Sequence, residues 1–459
     1  GGAIESLTSN FSQWTMMSYV GRINYGLMDR YLLTASLRYD GSSRLSEGNK
    51  WALFPSAAIA WRITEEDFAK NLDWLSNLKL RFSYGQAGNT NSVSPYASEG
   101  TISGSVYYPF GTSTSVGNLP ANIANPMLTW ERTSEYNVGL DFGFLNQRIS
   151  GNIEYYNRTT NDLLMKRNIP VHLGYSSVTS NVGSVRNSGF ELQLNTANIM
   201  TKNFAWNTTI NLAYNKNEIV SLADEEDLSN YSIHLQGMRG RYSDKRFIGK
   251  PVDTNWTQNT IGVWQLGEEE EAAKYGCVPG NFKIKDYNHD GKLTDDDYSI
   301  DGKRTPDWTG GMTNMFKIYD FDFSFHMYFQ AGATQYDRFF ENFALEWNSQ
   351  NFNNLRTNYW TPENPSNTMG RPSQMGSRGN IAYEKTDFLK VSYITLGYTL
   401  NKRLMSKWGL DNARIYVTVQ NPFILTKFRG LDPEQPDLTN IGDTDGMTMN
   451  ALLGVNISF

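Results

Sequence analysis

An alternation of apolar and polar residues runs through most of this chain and constrains its fold more than any other feature. Residues 321–330 read FDFSFHMYFQ and residues 31–40 read YLLTASLRYD, with an apolar stripe at the odd positions in both. Successive side chains of a β-strand point to opposite faces, so the pattern predicts strands with one apolar and one polar face. Soluble β-sandwiches alternate too, but runs of about 9–13 residues have the length of a tilted membrane crossing.

We identify thirteen such runs and twelve connections between them. The runs span residues 16–28, 31–40, 51–62, 78–86, 130–144, 148–157, 185–197, 204–215, 308–317, 321–330, 388–400, 413–420 and 447–459. The short connections are 29–30, 145–147, 198–203 and 318–320, with the somewhat longer 63–77 and 401–412, each expected to hold a helical turn. The connections that alternate with them are 41–50, 87–129, 158–184, 216–307, 331–387 and 421–446. Short turns on one side and long loops on the other predict an all-β, transmembrane antiparallel β-barrel.

Composition agrees with a barrel and narrows the possible partners. The mean hydropathy is −0.51, and no apolar run approaches the roughly 18 residues of a membrane-spanning helix. Aromatic residues make up 14% of the chain, which suits the aromatic belts of membrane proteins. The net charge of −6 without a basic stripe predicts no nucleic-acid partner. The single cysteine, Cys277, leaves no internal disulfide and no cysteine-based metal cluster.

The number of strands and the last strand add a second constraint. Residues 449–459 read MNALLGVNISF, an alternating strand that ends on Phe, as outer-membrane proteins typically do. Bacterial single-chain barrels have an even number of strands with both ends in the periplasm, and thirteen is odd. An open sheet would also present two unpaired edges to lipid. We therefore expect the chain to be incomplete, with further strands coming from elsewhere.

Six segments resemble the C-terminal part of the SusC/RagA family of TonB-dependent outer-membrane transporters of the Bacteroidetes. They are Tyr31–Arg44 (YLLTASLRYDGSSR), Leu78–Asn89 (LKLRFSYGQAGN), Trp130–Phe142 (WERTSEYNVGLDF), Asn181–Leu194 (NVGSVRNSGFELQL), Asp286–Gly302 (DYNHDGKLTDDDYSIDG) and Gly430–Glu434 (GLDPE). The resemblance implies a 22-stranded barrel with an N-terminal plug. Residues 1–459 would supply its last thirteen strands, and the plug and first strands would be absent from this sequence or carried by a second chain.

The same resemblance implies a function in the outer membrane of a Gram-negative bacterium. Family members import a glycan (oligosaccharide) or peptide nutrient, driven by the TonB complex and assisted by a SusD-like surface lipoprotein that acts as a lid. A passive outer-membrane channel is one alternative, and the upstream residues would distinguish it. A barrel-embedded hydrolase is another, because His326 and Ser324 lie two residues apart on a polar face. We expect no enzyme, and interpret this pair as lining the lumen within the lipid bilayer.

A calcium-type loop lies at residues 286–297, inside the long extracellular excursion 216–307. Its twelve positions offer side-chain oxygens from Asp286, Asn288, Asp290 and Asp297 and the carbonyl of Lys292, with Gly at the sixth position for the sharp turn. The alternative is an Asn/Asp/Gly turn without an ion. We predict a structural calcium that braces the loop, bound less tightly than with the usual Glu at position 12.

Three other groups have structural interpretations at this stage. Glu268–Glu271 is expected to be a solvated loop face, and Arg38, Asp40 and Arg44 a salt-bridge network at the barrel rim. The loop aromatics are Tyr107, Tyr108, Phe110, Trp256, Trp264, Trp308, Trp347 and Trp360. We expect these rings to pack the loops, although exposed rings could also stack on sugars or grip peptide side chains.

Overall fold

The structure is a computed structural model and describes residues 11–170, 172, 174–175, 177–345, 357–372, 377–401, 405, 409–435 and 447–459. Thirteen antiparallel strands form one sheet in which each strand pairs with the next along the chain. Their bounds are β1 Met16–Leu27, β2 Tyr31–Ser42, β3 Trp51–Arg62, β4 Leu75–Asn89, β5 Glu131–Phe144, β6 Ile149–Asn161, β7 Ser184–Met200, β8 Phe204–Ser221, β9 Trp308–Ile318, β10 Phe321–Ala331, β11 Phe388–Thr399, β12 Asn412–Thr426 and β13 Asn450–Ser458. All thirteen predicted runs are confirmed.

The two faces of the sheet differ in chemistry as the alternation predicts. On one face of β13, Leu453, Val455 and Ile457 are 75%, 55% and 51% exposed. The outer stripes of the other strands expose large apolar side chains in the same way, for example Ile59 and Phe321. An apolar surface of this extent is not tolerated in water, so this face is the one that contacts lipid.

Aromatic pairs mark both borders of the apolar face. Near the tight turns they are Trp206 with Phe316 and Phe321 with Tyr398, at ring-centroid distances of 5.5 and 4.7 Å. Near the long loops they are Tyr39 with Trp51 and Tyr214 with Trp308, both at 4.9 Å. Eight residues of β8 separate Trp206 from Tyr214, which places the two belts on the order of 20–25 Å apart once strand tilt is counted. That spacing matches the apolar band of an outer-membrane barrel.

The short connections turn sharply through residues in the left-handed region. Asp29, Asn146 and Tyr319 have φ values of 55°, 56° and 53°, which Asp and Asn tolerate better than most residues. The predicted helical turn in 63–77 is present as a 3₁₀ turn at Ile63–Glu65. The corresponding turn in 401–412 lies largely outside the described residues. No described helix is long and apolar enough to cross a membrane.

The long loops carry short elements of their own. Their strands are Ile102–Phe110, Ser113–Pro120, Leu164–Asn168, Ser177–Asn181, Glu226–Asp227, Arg239–Arg241, Arg246–Phe247, Thr254–Gln258, Thr260–Val263, Phe282–Ile284, Tyr298–Lys303, Thr334–Tyr336 and Tyr383–Lys385. Their helical segments are α1 Glu269–Lys274 and α2 Arg338–Phe340, which continues into a π-turn at Glu341–Leu345, and 3₁₀ turns at Ile233–Leu235, Tyr242–Asp244 and Asp295–Asp297.

The two longest loops, 222–307 and 332–387, share one apolar core. Phe282 and Ile284 from the first loop pack with Phe340, Trp360 and Ala382 from the second. Burial of side chains this large gives the pair a core of its own. The two loops therefore form a fixed layer over one side of the barrel, which we call the loop layer.

The sheet has two free edges. Within the described residues, β1 pairs only with β2 and β13 pairs only with β12. Twelve connections reverse the chain direction twelve times, so β1 and β13 both run from the loop side to the tight-turn side.

Candidate functional site

A network of charged side chains crosses the polar face of three neighbouring strands. The Arg81 guanidinium on β4 donates to Asp141 on β5 and to Glu154 on β6, both at 2.7 Å. Lys79 Nζ lies 2.6 Å from the second oxygen of Asp141, and Asn137 Nδ2 donates to Glu154 at 3.1 Å. Each carboxylate thus has at least two donors, which fixes the charges on a wall that the alternation turns away from lipid.

A glycine allows Arg81 to reach across a whole strand. Arg81 pairs in register with Gly139 on β5, and Gly139 pairs with Glu154 on β6. A Cβ at position 139 would lie only 2.9 Å from Arg81 Nη2. The guanidinium therefore lies in the space that a side chain on the middle strand would fill.

The same arrangement occurs a second time on the polar face. Arg414 on β12 donates to Asp322 on β10 through Nε at 2.8 Å and Nη2 at 2.5 Å. Gly397 on β11 is the register partner of Asp322, and a Cβ there would lie 2.5 Å from both side chains. Two ion pairs thus each bridge three strands over a glycine, which the sequence analysis did not identify.

The polar face also forms two open grooves. One, of about 680 Å³, is lined by hydroxyl and amide side chains that include Thr34, Ser36, Ser83, Thr133 and Asn187. The other, of about 420 Å³, is lined by residues that include Asn152, Glu191, Gln193, Asn211 and His326. Such walls offer many hydrogen-bonding groups to water or to a polar solute.

His326 lies on the polar face, as predicted, but its partner is not Ser324. Its Nδ1 is 2.9 Å from Thr313 Oγ1 on the neighbouring strand, and its ring stacks on Tyr393 with centroids 5.7 Å apart. A nucleophile–base pair requires a hydrogen bond between the two groups. The contacts of His326 are those of a side chain that lines the wall.

The rim network predicted at Arg38, Asp40 and Arg44 is confirmed for its first pair. Arg38 Nε donates to Asp40 Oδ1 at 2.7 Å. Arg44 instead donates to the carbonyls of Thr90 and Val93 at 2.8 and 3.1 Å. The prediction that Arg44 joins a salt bridge is therefore wrong, because the loop after β4 brings backbone acceptors to it before any carboxylate.

The calcium-type loop is closed by hydrogen bonds to its first and last carboxylates. Asp286 accepts from the backbone N–H groups of His289 and Gly291 at 2.6 and 3.0 Å. Asp297, which is 0% exposed, accepts from the N–H groups of Tyr287 and Thr294 at 2.9 and 2.8 Å. The two ends of the twelve-residue loop are thereby held together.

The middle of that loop is tied by its own side chains. Asp290 Oδ1 accepts from Lys292 N–H at 2.8 Å and Oδ2 from the Asn288 amide at 3.1 Å. Carboxylate, amide and carbonyl oxygens are the donors that Ca²⁺ prefers, so the donor set fits the ion. Over the described ranges, however, no group of three or more His, Cys, Asp or Glu side chains stands close enough to hold a metal. Calcium at Asp286, Asn288, Asp290, Lys292 and Asp297 stays a prediction.

Hydrogen bonds within and around the calcium-type loop favour the ionised form of its first carboxylate, Asp286. Burial opposes ionisation of Asp286, but hydrogen bonds from Gly291, Tyr275 and His289 outweigh it and lower the pKa of this carboxyl. The Tyr275 hydroxyl donates to Asp286 at 3.0 Å, and burial together with this bond raises the pKa of Tyr275 to about 12. The phenol therefore remains a donor at all physiological pH values.

The calcium-type loop is anchored to the rest of the loop layer on two sides. Leu293 packs against the shared core of the two long loops. Ser232 Oγ donates to the carbonyls of Asp296 and Tyr298 at 3.0 and 2.9 Å. Order in residues 286–297 is therefore coupled to order in the segments on both sides of it.

The loop aromatics divide into two groups. Trp264 and Trp360 are buried and Trp256 packs in a second loop cluster, so packing of the loops is confirmed for these three. Trp308 instead lies on β9 and belongs to the aromatic belt. Trp347 lies outside the described residues. Tyr107, Tyr108 and Phe110 are exposed on the hairpin Ile102–Pro120 and remain free for a ligand or partner.

Comparison with known proteins identifies the family to which the chain belongs. The family model for the TonB-dependent receptor-like β-barrel matches residues 3–313. The TonB-dependent receptor SusC of Bacteroides thetaiotaomicron is 35% identical over 97% of this chain and 44% of its own length. A TonB-dependent receptor of Formosa agariphila is 33% identical over 99% of this chain and 47% of its own. The chain thus spans a little under half the length of these relatives.

A solved structure shares the fold. The RagAB peptide transporter superposes with a TM-score of 0.77 at 24% identity, covering 98% of this chain and 48% of that one. At this identity the likeness concerns the fold of the barrel wall.

Proposed function

Because this chain belongs to the TonB-dependent receptor-like β-barrel family of the outer membrane, we propose that it forms part of the wall of a TonB-dependent nutrient importer of the SusC/RagA type. The observation that carries the proposal is the pairing of an apolar, belted outer face with an inner face of ion pairs and hydroxyl-lined grooves. A wall of this kind separates lipid from a wide aqueous path. The contacts of His326 favour transport over catalysis.

The remainder of the barrel follows from the two free edges. Backbone groups at the outer edges of β1 and β13 require partners in a bilayer. Both edge strands run in the same direction, so antiparallel closure needs an odd number of further strands, and nine would complete a 22-stranded barrel. We propose that these strands, and the plug on which TonB pulls, are supplied by sequence outside residues 1–459 or by a second chain.

The loops on the extracellular side are the surface on which we place a partner. Its two long loops share a core, so they present a fixed surface and not a mobile flap. The exposed hairpin Ile102–Pro120 has no charged residue, and its rings at Tyr107 and Phe110 are solvent-exposed. We propose that a SusD-like lipoprotein contacts both the loop layer and this hairpin and passes an oligosaccharide or a peptide inward.

A structural calcium ion in residues 286–297 completes the proposal. The support is the donor chemistry of Asp286, Asn288, Asp290 and Asp297 with the Lys292 carbonyl, and the anchoring of that loop at both sides. The ion would hold the long excursion 216–307 in its packed form.

The function is tested by uptake in the native bacterium, with the complete transporter in place. Labelled oligosaccharides and peptides are offered to cells with and without TonB, and with and without a proton uncoupler. Energy-dependent uptake that requires both TonB and the proton gradient is expected. Uptake that continues in uncoupled cells identifies a passive channel and overturns the importer. Co-purification of a lipoprotein with the barrel tests the lid separately.

A further inference from the structure

An apolar groove lies on the lipid-facing side where β10, β11 and β12 reach the loop layer. Phe329 pairs in register with Leu389, and Leu389 pairs with Leu425, so the three form one row across the strands. A register shift between Val391 and Tyr393 reverses the phase of β11 and brings Leu389 to the outer face. The groove has a volume of about 950 Å³, and Leu425 is 60% exposed in it.

Two lysines lie at the upper end of this groove. Lys427, directly after the end of β12, and Lys385, three residues before β11, both line the groove. Both are exposed, and neither Nζ makes an ion pair or hydrogen bond with any described residue. Asp387 is the single acid among the described residues of the lining, and its Oδ1 accepts from the Gly332 N–H at 2.7 Å. The polar end of the groove is thus net positive.

By contrast, two outward-facing cations elsewhere on the same face and at a similar level are held in ion pairs. Lys216 Nζ lies 2.7 Å from Glu218, which also pairs with Arg186 at 3.2 Å. All three belong to the outer stripe of β7 and β8, above the aromatic belt. Lys216 thus differs from Lys385 and Lys427 in having a carboxylate partner.

We propose that this groove binds an acylated, phosphorylated glycolipid of the outer leaflet, with an acyl chain along the apolar row and a phosphate at the two lysines. The position fits this occupant, because the long-loop side of an outer-membrane barrel faces the outer leaflet. The chemistry also fits, because anionic headgroups are attracted by lysines at the membrane surface. The site lies outside the transport path and does not depend on the nature of the imported nutrient.

Native mass spectrometry of the complete transporter, purified from outer membranes in mild detergent, tests the site. The probe is purified lipid A, added back at known concentration to delipidated protein. Lys385→Gln with Lys427→Gln is expected to weaken its binding about 10- to 30-fold, since each lysine contributes about one kcal/mol at the surface. The matched control Lys216→Gln, which removes a paired lysine on the same face, is expected to leave binding unchanged.

Two further lipids separate the two halves of the site. Lipid A without phosphates and lipid A without acyl chains are each expected to bind far more weakly than the intact molecule, and Leu425→Asn is expected to weaken the intact molecule while leaving the lysines in place. The heat-dependent gel shift of the barrel checks that each variant is folded. Two results would overturn the proposal. The double lysine variant retains lipid A as well as the unaltered protein does, or phosphate-free lipid A binds as tightly as intact lipid A.

Discussion

The guanidinium of Arg81 lies over Gly139 and reaches Glu154 on the strand beyond it. Cross-strand neighbours normally interact with the adjacent strand, and this contact spans two. A glycine on the polar stripe of the middle strand is what opens the path, and Gly397 does the same for Arg414 and Asp322. These ion pairs connect neighbouring strands on the polar face, which lipid does not contact.

Gly139→Ala is expected to displace the Arg81 guanidinium and weaken its contact with Glu154. A Cβ would come within 2.9 Å of Nη2, and the end of a long side chain can move aside, so the loss is about 1 kcal/mol in the free energy of unfolding for this partly solvated pair. Denaturant unfolding in detergent micelles measures it. In an Arg81→Met background the same Gly139→Ala change is expected to cost much less, and an equal cost in both backgrounds contradicts the account.

Trp360→Ala is expected to loosen the loop layer while leaving the barrel intact. Trp360 is 5% exposed in the shared core, and its Nε1 donates to Gln265 Oε1 at 3.0 Å across the two loops. Truncating a buried Trp typically costs about 3–5 kcal/mol. Limited proteolysis reports cleavage within 222–307 and 332–387, and Tyr107→Ala on the exposed hairpin is the control. Unchanged cleavage of both loops in Trp360→Ala would contradict a common core.

Removing calcium is expected to increase cleavage around residues 286–297 and in the segments anchored to them. Binding stabilises the state that binds, so protection should return when calcium is added in excess over its dissociation constant. Terbium emission sensitised by the loop tyrosine Tyr287 provides a direct reading of the site, and Asp290→Asn should reduce it. Identical proteolysis with and without chelator, together with no terbium signal, would leave the loop as an ion-free turn.

Asp337 is expected to make the stability of the loop layer depend on pH. Its carboxyl is buried at the start of α2, Oδ1 accepts from Phe340 N–H at 2.9 Å, and Oδ2 has no partner among the described residues. Burial raises the pKa of Asp337 to about 6. Between about pH 4 and 6 the folded loop binds more protons than the unfolded one, so its stability falls as pH rises through that window, by up to roughly 2–3 kcal/mol.

Hydrogen exchange of residues 332–345 at pH 5 and pH 8, corrected for intrinsic rates, measures this difference. Asp337→Asn keeps an N-cap acceptor without the charge. The variant is expected to be more protected than the unaltered protein at pH 8 and nearly independent of pH. A pH dependence that persists in Asp337→Asn assigns the effect to another group.

The alternation predicted the strands well because lipid and water impose it over the whole crossing. The alternation failed to predict the strand ends where the strands extend beyond the membrane crossing. β8 continues to Ser221, six residues beyond the predicted 215, through a segment above the aromatic belt that pairs with β7 and in which the buried Ile219 belongs to the loops. β12 continues past Asn421, whose positive φ of 48° interrupts the pattern, to Thr426.

The polar wall was predictable as a stripe but not as a set of contacts. Arg81, Gly139 and Glu154 are distant in sequence, and only the register of three strands places them in line. The sequence did offer one signal for these contacts. It was a glycine in the polar stripe of one strand, with an arginine on one neighbouring strand and an acidic residue on the other. The shared core of the loops depends on contacts between segments about a hundred residues apart, for which no local pattern exists.

The central claim is that the apolar stripe contacts lipid and the polar stripe faces water, and adjacent residues of β10 test it most directly. Single cysteines are placed at Phe325 and Ser324 in a Cys277→Ser background, in the complete barrel reconstituted into lipid vesicles. The account predicts that a water-soluble maleimide labels position 324 and spares position 325, while a fluorophore at 325 is quenched by brominated acyl chains. Equal labelling at both positions, or lipid quenching at 324 and not at 325, would contradict it.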